Sequence, residues 1–231
     1  MSMFTEIKVG CPACGTEMPF KAVRSVNADR RADLRAAILD ESFQRTTCGA
    51  CGTLFRLDPD FAYIHAGRGQ WIAARPLARL ADWKAQEAEA RDAFDRVYGS
   101  EAPPGVQAIG RQVVPRITFG WAALREKLVV VAHGLDDVTV ELAKAAVLRA
   151  SGEAPAGSSE LRLAGVDADD RSLVFAWLRS ADETAEGPMK RLPRETYDSV
   201  AADADGGWRE LRQRVDAGLF VDLGRLLLAD R

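Results

Sequence analysis

Four cysteines, the only ones in 231 residues, fall in two copies of one short pattern: Cys11-Pro-Ala-Cys14-Gly15 and Cys48-Gly-Ala-Cys51-Gly52. Two thiolates three positions apart on a tight turn grip one ion, and two such turns brought together complete a tetrahedral sulfur shell. Gly15 and Gly52 stand where each turn needs positive φ. Cys11, Cys14, Cys48 and Cys51 are therefore the expected ligands of a single structural Zn2+, with no open position for a substrate. Iron in a rubredoxin-like sulfur cage is an alternative that the same donors accept, and a metal-free redox dithiol is another.

The 33 residues from Gly15 to Thr47 exceed the usual spacing of about 15 to 20 for a two-turn site, so something folded must fill the interval. Alternation over Phe20–Val26 predicts a strand, Arg30–Glu41 a helix with Leu34, Ala37 and Ile38 on one face, and Phe43–Thr47 a returning strand. After the second turn come Thr53–Leu57 and a turn at Asp58-Pro59-Asp60, and further strands are expected at Phe61–Ala66 and Gln70–Ala74. The result is an elaborated ribbon, a small antiparallel sheet with an inserted helix and a metal at one end. Pro76 opens a long connecting helix to Tyr98, where Glu87 with Arg91 and Asp92 with Arg96 pair at i, i+4.

Ser100-Glu-Ala-Pro-Pro-Gly105 is the strongest punctuation, which sets the expected domains at 1–98 and 106–231. The second should be α+β: helices at Trp121–Ala132 and Val138–Ala150, a Gly/Pro/Ser loop through Ser159, and strands at Leu161–Val166 and Ser172–Leu178. A short strand at Met189–Leu192, a helix opened by Pro193 and broken at Asp205-Gly-Gly207, and a packed apolar end from Phe220 to Ala229 complete it. The whole chain is thus expected to be α+β.

Cys11-Pro-Ala-Cys14-Gly15, the strand ending Ser25-Val26-Asn27, the helix after it and Thr47-Cys48-Gly-Ala-Cys51-Gly52 resemble bacterial CpXC-domain proteins. Phe119-Gly-Trp121, Leu124-Arg125, Gly134-Leu-Asp-Asp137, Glu141-Leu142 and Lys144 are similar to the segment that follows this domain in longer members. The second turn departs from the family pattern, with glycine where proline stands in the first. The resemblance implies a zinc-ribbon-like domain and supplies no reaction.

No catalytic residues are assigned. His65 and His133 are the only histidines, one in a strand pattern and one at a helix end. Asp136-Asp137 reads as an N-cap and first-turn acid, and Asp167, Asp169 and Asp170 as a polar turn rather than a cation site. No secretory signal or membrane-length apolar run is evident, so a cytoplasmic protein with reduced thiols and no membrane association is expected. The charge of -3 argues against a phosphate-tracking surface, and the interval between the knuckles is nearly neutral, its arginines matched by acids. The reading that follows is a non-enzymatic protein-interaction or scaffold protein. Nucleic-acid binding, in which zinc ribbons often serve, is the alternative.

Overall fold

The computed structural model describes residues 2–152, 159–179, 185–203 and 206–228. They form two compact units, Met1–Trp121 and Ala122–Arg231. Both combine helices with a sheet, so the α+β class expected from the sequence holds.

In the first unit, β1 (Met3–Gly10) and β2 (Glu17–Asn27) form an antiparallel hairpin whose turn is the first cysteine knuckle. Its residues alternate between half-covered and open along β1, as a strand with one wet face requires. From β2 the chain passes into α1 (Ala32–Leu39), which buries Leu34 and Ile38, an i, i+4 pair. A second, shorter hairpin follows, β3 (Arg45–Thr47) with β4 (Leu54–Arg56), and its turn is the second knuckle. This hairpin stands apart from the main sheet as a two-stranded ribbon.

The main sheet is completed by β5 (Phe61–His65), β6 (Gln70–Arg75) and β7 (Val114–Phe119), in the order β1-β2-β5-β6-β7. It is mixed, not the antiparallel sheet the sequence led us to expect, because β2 runs parallel to β5 and β6 parallel to β7. Parallel neighbours need a long crossover, and α1 with the second hairpin supplies the one between β2 and β5. The interior strand β6, between β5 and β7, is buried from Gln70 to Ala74, an unbroken covered run.

A 3-10 stretch over Leu77–Asp82 leads into α2 (Trp83–Tyr98), so the connecting helix begins later than Pro76 suggests. Phe94 packs edge-on against Trp71, ring centroids 5.2 Å apart. The proline-rich stretch at 100–105 lies within this unit. Pro104 occupies the first turn of α3 (Pro104–Gly110), where a missing N–H has no partner to lose. Gly110 permits the return, since an added Cβ would sit 2.6 Å from the Cβ of Tyr98. β7 then joins the sheet edge, where Pro115 is tolerated.

The second unit begins within α4 (Gly120–Ala132) and continues with α5 (Asp137–Ser151). β8 (Ser159–Val166), β9 (Leu173–Arg179) and β10 (Ala185–Leu192) form an antiparallel sheet in the order β10-β9-β8. After it come α6 (Arg194–Ala202), α7 (Arg209–Val215) and α8 (Arg225–Leu228). Leu163, Leu173 and Phe175 of the sheet share one core with Val140, Ala143 and Val147 of α5 and Tyr197 of α6. Most of the expected Gly/Pro/Ser loop, Asp205 of the expected break and Ala229 at the chain end lie outside the described residues. No helix among the described residues is long and apolar enough to cross a membrane.

Candidate metal centre

The two knuckles are near copies in space as well as in sequence. In each, the amide of the glycine after the second cysteine donates to the carbonyl of the first, Gly15 to Cys11 and Gly52 to Cys48, both at 2.9 Å. The first cysteine amide donates to the threonine that closes the turn, Cys11 to Thr16 at 3.0 Å and Cys48 to Thr53 at 2.9 Å. Gly15 and Gly52 hold φ of 71° and 74°, the left-handed conformation that their position in the motif predicts. The hairpins bring these turns together, so that the four sulfurs lie within 4.8 Å of one another.

Cys11 Sγ is 3.7 Å from Cys51 Sγ, and Cys14 Sγ is 3.7 Å from Cys48 Sγ. A tetrahedral shell with bonds of about 2.3 Å to sulfur has edges of about 3.8 Å, so the cross-knuckle contacts fit an ion held by all four. One cysteine of each knuckle is buried, Cys11 and Cys48, and one is exposed, Cys14 and Cys51. The Thr53 hydroxyl and amide, together with Cys14, lower the Cys51 thiol to about 6. Thr16 acts likewise on Cys14. Although the Cys14 amide favours the Cys11 thiolate, burial and the sulfurs of Cys51 and Cys14 push Cys11 up to about 11. A bound cation would displace the remaining protons, since thiolates are the ligating form.

An aromatic lock holds the second hairpin against its neighbours in the unit. Phe43, Phe61 and Trp121 meet with ring centroids 5.8 to 6.0 Å apart, and Trp121 Nε1 donates to the Leu57 carbonyl at 2.9 Å. The Arg56 guanidinium lies 3.7 Å over the Trp121 ring and donates from Nε to the Phe43 carbonyl at 2.9 Å. Arg56→Ala is expected to destabilise the first unit by about 1–2 kcal/mol, from the lost cation–π contact and the orphaned carbonyl, as read by urea unfolding followed by tryptophan fluorescence.

The other residues singled out in the sequence have structural partners. Asp136 caps α5, accepting from the Thr139 amide at 2.7 Å, while Asp137 pairs with Lys127 at 3.3 Å. Asp167 accepts from the Asp169 amide at 3.0 Å, and Arg191 lies against both Asp167 and Asp170. His133 ends α4, its amide bonded to the Val129 carbonyl at 3.1 Å. His65 Nε2 is 3.7 Å from Asp29, a neighbour invisible in the linear sequence, and Asp29 is engaged with the amides of Ala66 and Gly67. Burial lowers the His65 pKa against the pull of Asp29.

Sequence reasoning missed a buried ionic cluster in the second unit. Lys144 Nζ lies 2.8 Å from Glu126 and 2.9 Å from Glu141, and Arg162 lies 3.1 Å from Glu126 and 2.6 Å from Asp222. Backbone amides complete it: Leu163 donates to Glu126 at 2.6 Å and Leu223 to Glu141 at 2.9 Å. The cluster is internally satisfied and closed to solvent, which is the signature of an architectural element.

A family model described as CpXC protein matches residues 9–144, a span that takes in both knuckles, the Trp121 lock and the chain through Lys144. No curated protein and no solved structure matches the chain.

Proposed function

The chain belongs to the CpXC protein family, and we propose that its four sulfurs hold one structural Zn2+, fastening a module that recognises another protein and performs no reaction. The closure of the sulfur shell carries this reading: with Cys11, Cys14, Cys48 and Cys51 all within 4.8 Å, four thiolates saturate the ion and leave no vertex for water or substrate. Such a site contributes folding free energy, and a reducing compartment such as the cytoplasm keeps its thiols available.

The charge pattern of the segment between the knuckles supports a protein partner over a nucleic acid. Arg31 pairs with Asp33 at 2.6 Å, Arg45 with Glu41 at 3.5 Å and Arg24 with Asp60 at 3.9 Å, so these guanidinium groups have acids beside them. Leu54, next to the second knuckle, is 59% exposed, an apolar group available for a contact.

Metal analysis of freshly purified protein is expected to give one equivalent of zinc and a colourless solution. Visible absorbance would identify iron instead. Affinity capture with the intact protein should recover a partner that the Cys48→Ser variant does not. A partner captured equally by both would show that the ribbon is not the recognition surface, and salt-sensitive retention of DNA or RNA would favour the nucleic-acid reading.

A further inference from the structure

β1 is the terminal strand of the five-stranded sheet, and among the described residues no strand pairs with its outer side. The register fixes which backbone groups face that side. Lys8 lies opposite Pro19, whose nitrogen carries no hydrogen, so this is a non-hydrogen-bonded pair. Alternation then commits Thr5, Ile7 and Val9 to the ladder with β2 and turns the N–H and C=O groups of Phe4, Glu6, Lys8 and Gly10 outward. The opposite strand agrees: Val23, the partner of Phe4, sends its amide away from β1 to Gln44 Oε1 at 3.1 Å.

Natural edges are blunted by proline, by bulges, by inward-pointing charge or by charged side chains along the edge, which deter pairing unless a partner strand matches them sign for sign. β1 contains no proline, and its single register shift lies at its start, between Met3 and Phe4. From Phe4 to Gly10 it is a regular strand, with Phe4, Glu6 and Lys8 exposed.

We propose that β1 pairs antiparallel with β1 of a second copy of this chain, about a two-fold axis at Ile7, which joins the two sheets edge to edge. This register sets Glu6 opposite Lys8 of the second copy, twice by symmetry, and Phe4 opposite Gly10. Both pairs use the outward backbone groups. Ile7 meets its own counterpart at a non-hydrogen-bonded position, where side chains approach most closely.

The neighbouring registers are worse. An axis at Glu6 or at Lys8 sets a like-charged pair directly opposite, and an axis between two residues would oppose outward backbone groups to inward ones. Within the chain the same charges already alternate across the hairpin, Glu6 opposite Lys21 and Lys8 at 3.9 Å from Glu17. An added β1 continues that alternation. A contact made along one strand edge belongs among small, weak interfaces, so the dimer should form in a concentration-dependent way.

The test is sedimentation velocity of the metal-loaded full chain over a concentration series, beside four variants whose metal content reports that the knuckles remain intact. Glu6→Lys and Lys8→Glu should each weaken dimerisation about tenfold or more, and the double exchange should restore it. Lys8→Pro, which deletes an outward N–H and spares the ladder to β2, should abolish it. Amides of Glu6 and Lys8 should gain hydrogen-exchange protection as the dimer forms. A parent protein that stays monomeric throughout overturns the proposal. So does a double exchange no better than the single ones, a Lys8→Pro dimer as tight as the parent's, or a dimer in which those two amides exchange freely.

Discussion

Cys48→Ser is expected to yield a protein without bound metal and with a first unit that has lost its fixed tertiary structure. The hairpin that Cys48 closes has only three residues in each strand and, among the described residues, pairs with no other strand, so it has little to hold it besides the centre and the aromatic lock. Structural zinc in small peptides contributes about 10–16 kcal/mol of apparent binding free energy at neutral pH, as much as the whole net stability of an ordinary domain. Losing one thiolate therefore removes more than the remaining contacts supply. Near-UV dichroism from Trp71, Trp83 and Trp121 should collapse, and amide exchange should accelerate across β1 to β4. A variant that keeps both the metal and the signal would show that the four sulfurs do not act as one site.

Lys144→Met should destabilise the second unit by about 3–5 kcal/mol, because the change takes from the buried carboxylates of Glu126 and Glu141 the ammonium that lies within 2.9 Å of both and leaves Glu141 with Lys127 only at 3.7 Å. The loss should depend on pH in a defined direction. Burial, with Asp222 and Glu126 nearby, already raises the Glu141 pKa, and removing Lys144 raises it further. A carboxyl with a raised folded-state pKa binds its proton more tightly folded than unfolded, so variant stability climbs as pH falls through that raised value, and the deficit shrinks in mildly acidic buffer. Asp222 works oppositely. Against its burial, Arg162 and Lys144 hold it well below the ordinary range, and its contribution is present above the unfolded value and lost only in strong acid. Urea unfolding at neutral and mildly acidic pH checks both magnitude and direction. A pH-independent deficit would mean that water reaches the cluster.

The local rules of turn and helix made the knuckles legible. Cys-x-Ala-Cys-Gly-Thr dictates its own backbone, and the structure gives both copies the same hydrogen bonds. The inserted helix was readable from the Leu34 and Ile38 spacing, and the cap of α5 from Asp136. Pro103-Pro104-Gly105, the strongest punctuation in the chain, opens a short helix, a place where an absent N–H is harmless. Strand direction was hidden because β2 and β5 are parallel only by virtue of everything folded between them. The ionic cluster was hidden for a different reason. Charged residues on a helix ordinarily face solvent, and only the arrival of Arg162 and Asp222 from distant segments makes the burial of Glu126, Glu141 and Lys144 tolerable.

The insertion of the second hairpin between two adjacent strands has a consequence for biosynthesis. All four sulfurs leave the ribosome by residue 51, ahead of β5, β6 and β7. The nascent chain can therefore capture its ion first. β5 adds to the open side of β2, β6 to β5 and β7 to β6, so an ion bound at that stage would already fix the two hairpins on which the rest of the sheet is built.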